Sequence, residues 1–150
     1  MTNQQDVTAH DIPSGLRRSV HTTSAWLKHV ADELGHEDKQ KAYHALRGVL
    51  FALRDRLPVD EVMNLSAQLP TLIRGVYFEG YKAAGKPERY RDQDEFFDRV
   101  WEELEVVDGG APEAATRAVL AMLEDKVSEG EIEDIQHMLP ASLNSLWDDE

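Results

Sequence analysis

Two short strings, Glu33-x-x-His36 and Asp134-x-x-His137, put a carboxylate and an imidazole three residues apart. On a helix that spacing brings both side chains to one face, as dinuclear metal sites in helical bundles require. Neither string is expected to hold a metal. Gly35 ends a helix inside the first, the two do not correspond under the internal repeat described below, and the positions that would supply further inward glutamates are Leu, Val and Ile. Nucleophilic chemistry has less to work with. The chain has no cysteine and no Gly-x-Ser-x-Gly elbow, and its serines fall at helix starts or exposed edges. Gly109-Gly110 lacks both a phosphate-loop lysine and a preceding strand. The sequence therefore assigns no catalytic residue, no metal ligand and no cofactor.

A second set of polar residues stands out by recurrence. At an offset of 70 residues, Ala45-x-Arg47-x-Val49-Leu50-x-x-Leu53-x-Asp55 falls on Ala115-x-Arg117-x-Val119-Leu120-x-x-Leu123-x-Asp125. In the same register Glu61 meets Glu131, Leu69-Pro70 meets Leu139-Pro140, and Trp26-Leu27 meets Phe96-Phe97. Arg47 and Asp55, like Arg117 and Asp125, lie two helical turns apart and cannot bridge within one helix. Each arginine is expected to reach a neighbouring helix end or carboxylate, a structural role. Glu61 and Glu131 receive a structural reading too. Ser128-Glu129-Gly130-Glu131 has the form of a capping box, in which hydroxyl and carboxylate each take an orphan backbone donor.

The elements that must position these residues follow from apolar spacing. Leu16, Val20, Thr23, Leu27, Val30 and Leu34 recur at three- and four-residue steps, with Ser14 as N-cap and Gly35 as the stop. Asp38 caps a second helix with the stripe Ala42, Leu46, Val49, Leu50, Leu53 and Leu57, and Pro58 ends it. A third helix carries Val62, Leu65 and Leu69 inward, and a fourth Leu72, Ile73, Val76, Tyr77 and Tyr81. After a turn-rich linker, Asp92 restarts the pattern with Phe96, Phe97, Val100, Trp101 and Leu104. Pro112 then opens a helix burying Ala115, Val119, Met122, Leu123 and Val127. No stretch alternates as a strand does. The expected fold is all-α, with about eight helices in two tandem pseudo-repeats of about 70 residues packed into one bundle. The expected organisation is a flexible N-terminal segment 1–13, a single helical domain 14–150 with repeats 14–83 and 93–147 about a linker 84–92, and an acidic C-terminus 148–150.

The string Ala42-Tyr43-His44-Ala45-Leu46-Arg47-x-Val49-Leu50-x-x-Leu53-Arg54-Asp55-Arg56-Leu57-Pro58, followed by Gln68-Leu69-Pro70-x-x-Ile73-Arg74-Gly75-x-Tyr77-x-Glu79-Gly80, resembles the bacterial family catalogued as domain of unknown function 2267. The likeness runs from about Trp26 to Trp147. Tyr81 stands where the family commonly has tryptophan, a volume-conserving change. The resemblance implies a small, soluble, helical bacterial protein and implies no activity.

Composition narrows the function classes. Sixteen Lys and Arg against twenty-nine Asp and Glu give a net charge of −13, so duplex DNA and anionic membrane surfaces are not expected partners. No charged segment at the N-terminus leads into an apolar stretch, and no run is long enough to span a bilayer, so a cytoplasmic protein is expected. Against that background residues 74–91 are unusual, with Arg74, Lys82, Lys86, Arg89 and Arg91 facing only Glu79 and Glu88. Phe78 and Tyr90 in this span lie off the apolar stripe, and Gly75 and Gly80 leave room for another backbone to approach. Aromatics interleaved with arginine are what protein-binding hot spots use. Arg74, Phe78, Glu79, Lys82, Lys86, Arg89, Tyr90 and Arg91 are thus candidates for holding an unknown protein partner or a second copy of the chain. Two other readings are carried. One is a pocket between the repeats, where Arg47, Arg117 and His44 could hold a small acidic metabolite. The other is weak binding of single-stranded nucleic acid on the basic, aromatic linker.

Overall fold

A computed structural model describes residues 11–148, so of the expected N-terminal segment residues 1–10, and of the acidic C-terminus residues 149–150, lie outside the described residues. The chain forms α1 (Ser14–Leu34), α2 (Lys39–Arg56), α3 (Val59–Ser66), α4 (Thr71–Tyr77), α5 (Gln93–Leu104), α6 (Pro112–Lys126), α7 (Glu129–Met138) and α8 (Ala141–Asn144), with single 3-10 turns after α5 and α8. No strand occurs among the described residues, and the fold is all-α. The third and seventh helices start at Val59 and Glu129, the fourth and eighth at Thr71 and Ala141. Those starts keep the offset of the sequence match, whereas those of the first and fifth helices, Ser14 and Gln93, and of the second and sixth, Lys39 and Pro112, do not.

Local chemistry sets the helix ends. Asp38 accepts from the backbone N–H groups of Gln40 and Lys41, and Asp92 from that of Glu95. Gly35 closes α1 at φ +81°, where a Cβ would be strained. Ser14 differs from expectation. Pro13 occupies the N-cap in extended conformation and its carbonyl accepts the first helical bonds from Leu16 and Arg17, so Ser14 is already helical.

The core is one apolar cluster to which every helix contributes. Its most extensive contact crosses between the halves, α2 lying along α5, and α1 lies against both α2 and α6. Gly48 is where α2 comes closest to α5, since a Cβ there would stand 2.9 Å from Val100 O and 3.3 Å from Glu103 Cβ. The stripes expected for α2, α3 and α6 are buried throughout, whereas those for α1, α4 and α5 are not. In the first two turns of α1 only Ser19 is buried, its hydroxyl accepting the Leu72 N–H at 3.2 Å, while Leu16, Val20 and Leu72 are exposed. Trp101 is also exposed, because Val100 and Leu104 take the inward face of α5. No described helix is long and apolar enough to cross a membrane.

Candidate functional site

The segment joining α4 to α5 is a strap pinned from beneath by the C-terminal half of α2. Arg54 is only 3% exposed. Its Nη1 donates to Tyr77 O and Glu79 O, each at 2.7 Å, taking carbonyls that the end of α4 leaves open, and its Nε donates to Asp55 Oδ1 at 3.0 Å. Asp55 also faces Arg99 of α5 at 3.4 Å and Lys86 of the strap at 4.0 Å. The Phe51 ring lies under three guanidinium groups, those of Arg47 at 4.9 Å, Arg54 at 4.3 Å and Arg99 at 5.3 Å from its centroid. Its π face and the Asp55 carboxylate let these like charges gather.

Farther along the strap, Glu88 N donates to Asp55 O at 2.7 Å and Arg56 Nε to Tyr90 O at 2.8 Å. The Tyr90 hydroxyl donates to Ala52 O, and its ring meets Phe96 edge-on at 6.1 Å. Burial, with Asp55 nearby, raises the Tyr90 hydroxyl above its ordinary pKa. Tyr90 is therefore a rivet rather than a free ring. Phe78 packs edge-on against Tyr77 at 5.1 Å and joins the partly buried side chains on the core, as Tyr81 does. The expectation that Phe78 and Tyr90 stand apart from the core is corrected by this packing. Arg74 is engaged too, bonding Ser66 O and Leu69 O at 2.8 Å each and so closing α3. Nothing lies within 4 Å of a Cβ built at Gly75 or Gly80, so no backbone uses the room they leave.

What the strap leaves open is basic. A cleft of about 620 Å³ lies between it and the end of α2, lined by Arg56, Lys86, Pro87, Glu88, Arg89 and Arg91 with Gly85. Lys86 is paired with Glu88 at 3.1 Å. The side chains of Arg89 and Arg91 are exposed and make no ion pair or hydrogen bond among the described residues. Burial pulls the Arg56 guanidinium below its ordinary pKa; Tyr90 opposes the shift and the adjacent Arg91 adds to it. Two cations close enough to feel each other beside a cleft favour an anion between them. Lys82 is exposed and does not line this cleft.

The recurring polar residues are placed differently in the two halves. Arg47 bridges α2 to Glu103 of α5 at 2.8 Å and to Glu79 at 2.9 Å, with Tyr43 OH at 3.2 Å. Burial alone would lower its pKa, but these bonds outweigh that and raise it. His44 faces the same Glu103 at 3.6 Å. Arg117 instead bonds Glu113 on its own helix at 3.1 Å and Asp148 O at 3.0 Å, and lines a separate cleft of about 300 Å³ with Leu34 and Trp147. Asp55 is buried among cations, whereas Asp125 is exposed beside Lys126 and His29. The structure thus does not bring Arg47, Arg117 and His44 onto a common partner.

Glu61 and Glu131 do meet. They sit in the first turns of α3 and α7, which pack against each other, and are 5% and 8% exposed. Only half of the expected capping box forms. Ser128 Oγ accepts the Glu131 N–H at 3.2 Å, but the Ser128 N–H is taken by Gln68 Oε1 at 3.2 Å, leaving the Glu131 carboxylate without that donor. Glu61 never has one, because its N-cap is Pro58. The carboxyl groups turn to each other, and Asp134, one turn along α7, completes a set whose oxygens lie within 4.8 Å of one another. Burial, then the hydrogen bond and charge of Glu61, then Asp134, push the Glu131 carboxyl up to about 8.

Sequence reasoning missed Arg54, Arg56 and Arg99. One signal was available for Arg54, which follows Leu50 by one turn and so borders the buried stripe. The model of a family described as "Uncharacterized conserved protein (DUF2267)" matches residues 23–146, a span that holds the strap, the basic cleft and the carboxyl cluster. No curated protein matches the chain.

Proposed function

Because the chain belongs to the family Uncharacterized conserved protein (DUF2267), whose description names no reaction, we propose from its own geometry that it is a non-catalytic interaction module. In this reading it acts in the cytoplasm and holds an acidic segment of a protein partner in the cleft between α2 and the strap. The observation that carries the proposal is the convergence of Arg56, Arg89 and Arg91 on one cleft, the side chains of the last two without a hydrogen-bond or ion-pair partner among the described residues, in a chain of net charge −13. A carboxylate-rich segment supplies the acceptors these planar donors lack. The surrounding negative surface repels polyanions of every kind, so attraction is confined to the cleft and to a short acidic segment. Stacking of single-stranded bases has less support, because Phe78, Tyr81 and Tyr90 are packed against the core.

A fluorescent Glu-rich peptide tests the proposal. The wild type is expected to bind it with an affinity that falls as salt rises, and Arg89→Ala with Arg91→Ala to weaken binding by about tenfold. Melting should stay unchanged, since both side chains are exposed, and Lys82→Ala, outside the cleft, should bind as wild type does. Tyr90→Ala is the wrong variant for this purpose, because it removes a ring from the core. Equal binding by the double arginine variant and the wild type would overturn the proposal. So would a dimer of the protein alone that the double variant dissolves, which would make a second copy the occupant.

A further inference from the structure

The carboxyl cluster between α3 and α7 lies apart from the basic cleft. Its two inner members are more than nine-tenths buried, and the Oε2 atom of each has no hydrogen-bond donor from backbone, hydroxyl, amide or cation. Neither these glutamates nor Asp134 forms an ion pair among the described residues. Carboxylates removed from water without donors are strongly disfavoured, and they persist where something positive stands between them. A proton shared by the two glutamates would satisfy that pair. It makes no use of the oxygen that Asp134 brings within 4.8 Å of both.

The composition of the cluster is selective. All the oxygens come from carboxylates, with no thiolate or imidazole in the set, which suits a hard cation rather than zinc or copper. Their mutual separation of no more than 4.8 Å fits around one ion held at about 2.0–2.6 Å from each oxygen. Asp134 is exposed, so the set opens to solvent on one side, from which an ion could enter and keep part of its water shell. We propose that Glu61, Glu131 and Asp134 form a binding site for a hard divalent cation, of the Ca²⁺, Mg²⁺ or Mn²⁺ type, that ties α3 to α7. The ion joins the two halves of the chain at a contact where Gln68 and Ser128 already make one cross-half bond. It replaces the proton and offsets the repulsion that the three carboxyl groups have once all are ionised, for which no counter-charge stands among the described residues.

The full chain, stripped with a chelator and dialysed, is titrated calorimetrically with CaCl₂, MgCl₂ and MnCl₂ in turn near neutral pH, and melted with and without each salt. One equivalent of at least one of these ions is expected to bind saturably and to raise the melting temperature. Glu61→Gln and Glu131→Gln preserve shape and remove charge, so both should fold while binding about tenfold or more weakly. Asp134→Asn should weaken binding too, and Asp94→Asn, on α5, should leave it unchanged. Absence of saturable binding by all three ions overturns the proposal. Binding that survives both glutamine variants also overturns it, since the ion would then sit elsewhere. An infrared carboxylic C=O band at neutral pH, insensitive to added cation and missing from Glu131→Gln, would identify a proton-sharing pair in place of the metal site.

Discussion

Glu131 shows how far a side chain's behaviour can depart from its sequence context. In an isolated helix a carboxylate in the first turn is favoured by the dipole and by capping. Here its backbone donor is taken by Gln68, and it faces Glu61 instead. With its carboxyl raised from 4.5 to about 8, the folded, cation-free protein binds more protons than the unfolded chain between those values, so its stability falls as pH rises through that window. The stabilising protonated form is fully present below 4.5 and is lost on passing 8. Glu131→Gln has no such group to titrate. Paired urea melts of wild type and variant in chelator are therefore expected to converge at the acid end and separate toward pH 8, with the wild type the less stable. Parallel curves would mean that Glu131 ionises as an ordinary surface glutamate. Arg54 makes the complementary point with opposite charge, since its cost of burial is offset by two carbonyls and Asp55.

At the scale of elements, the two helical glycines Gly48 and Gly75 give opposite predictions for the same substitution. Alanine gains about 1 kcal/mol over glycine in an open helix through reduced backbone entropy. At Gly75 nothing lies within 4 Å of the added methyl, so Gly75→Ala should raise stability by roughly 0.5–1 kcal/mol in denaturant melts. At Gly48 the methyl would meet a backbone carbonyl of α5 at 2.9 Å. Overpacking of about 1–3 kcal/mol there outweighs the propensity gain, and Gly48→Ala should lower stability. The stripes of α2 and α6 were legible in the sequence because long helices buried on several sides keep a full apolar period. The fourth helix was legible only in part: Ile73 and Tyr77 are buried as their spacing indicates, but the helix ends at Tyr77, and the turn through Gly80 at φ +65° leaves Tyr81 outside it. Contacts such as Gly48 against Val100 depend on how two helices cross, which no local pattern encodes.

For the whole molecule, the all-α class and the helix starts other than that of α1 could be read from periodicity and caps, whereas the placement of the polar residues could not. Arg47 and Arg117 share a sequence position and have different partners, since Glu79 and Glu103 stand beside one and the C-terminal end of the described chain beside the other. The strap's rings were misread for a related reason. Charge density marks a surface, but Tyr90 reaches inward to Ala52 across a distance in sequence that spacing rules do not cover. Because α2 packs most extensively against α5, and α1 lies against α6 as well as against α2, a truncation ending at Gly85 removes much of the surface that covers them. It is expected to show no cooperative melt by circular dichroism, whereas a native-like transition in that fragment would make the first half a domain in its own right.

The crossing of α1 onto α6 and α2 onto α5 has a corollary for crowded or refolding protein. Each half is the natural mate of the other, so two molecules can satisfy the same faces by trading their second halves. The anchorage of the strap by Arg54, Arg56 and Tyr90 works against that trade, because it keeps the proper mate tethered nearby at high effective concentration.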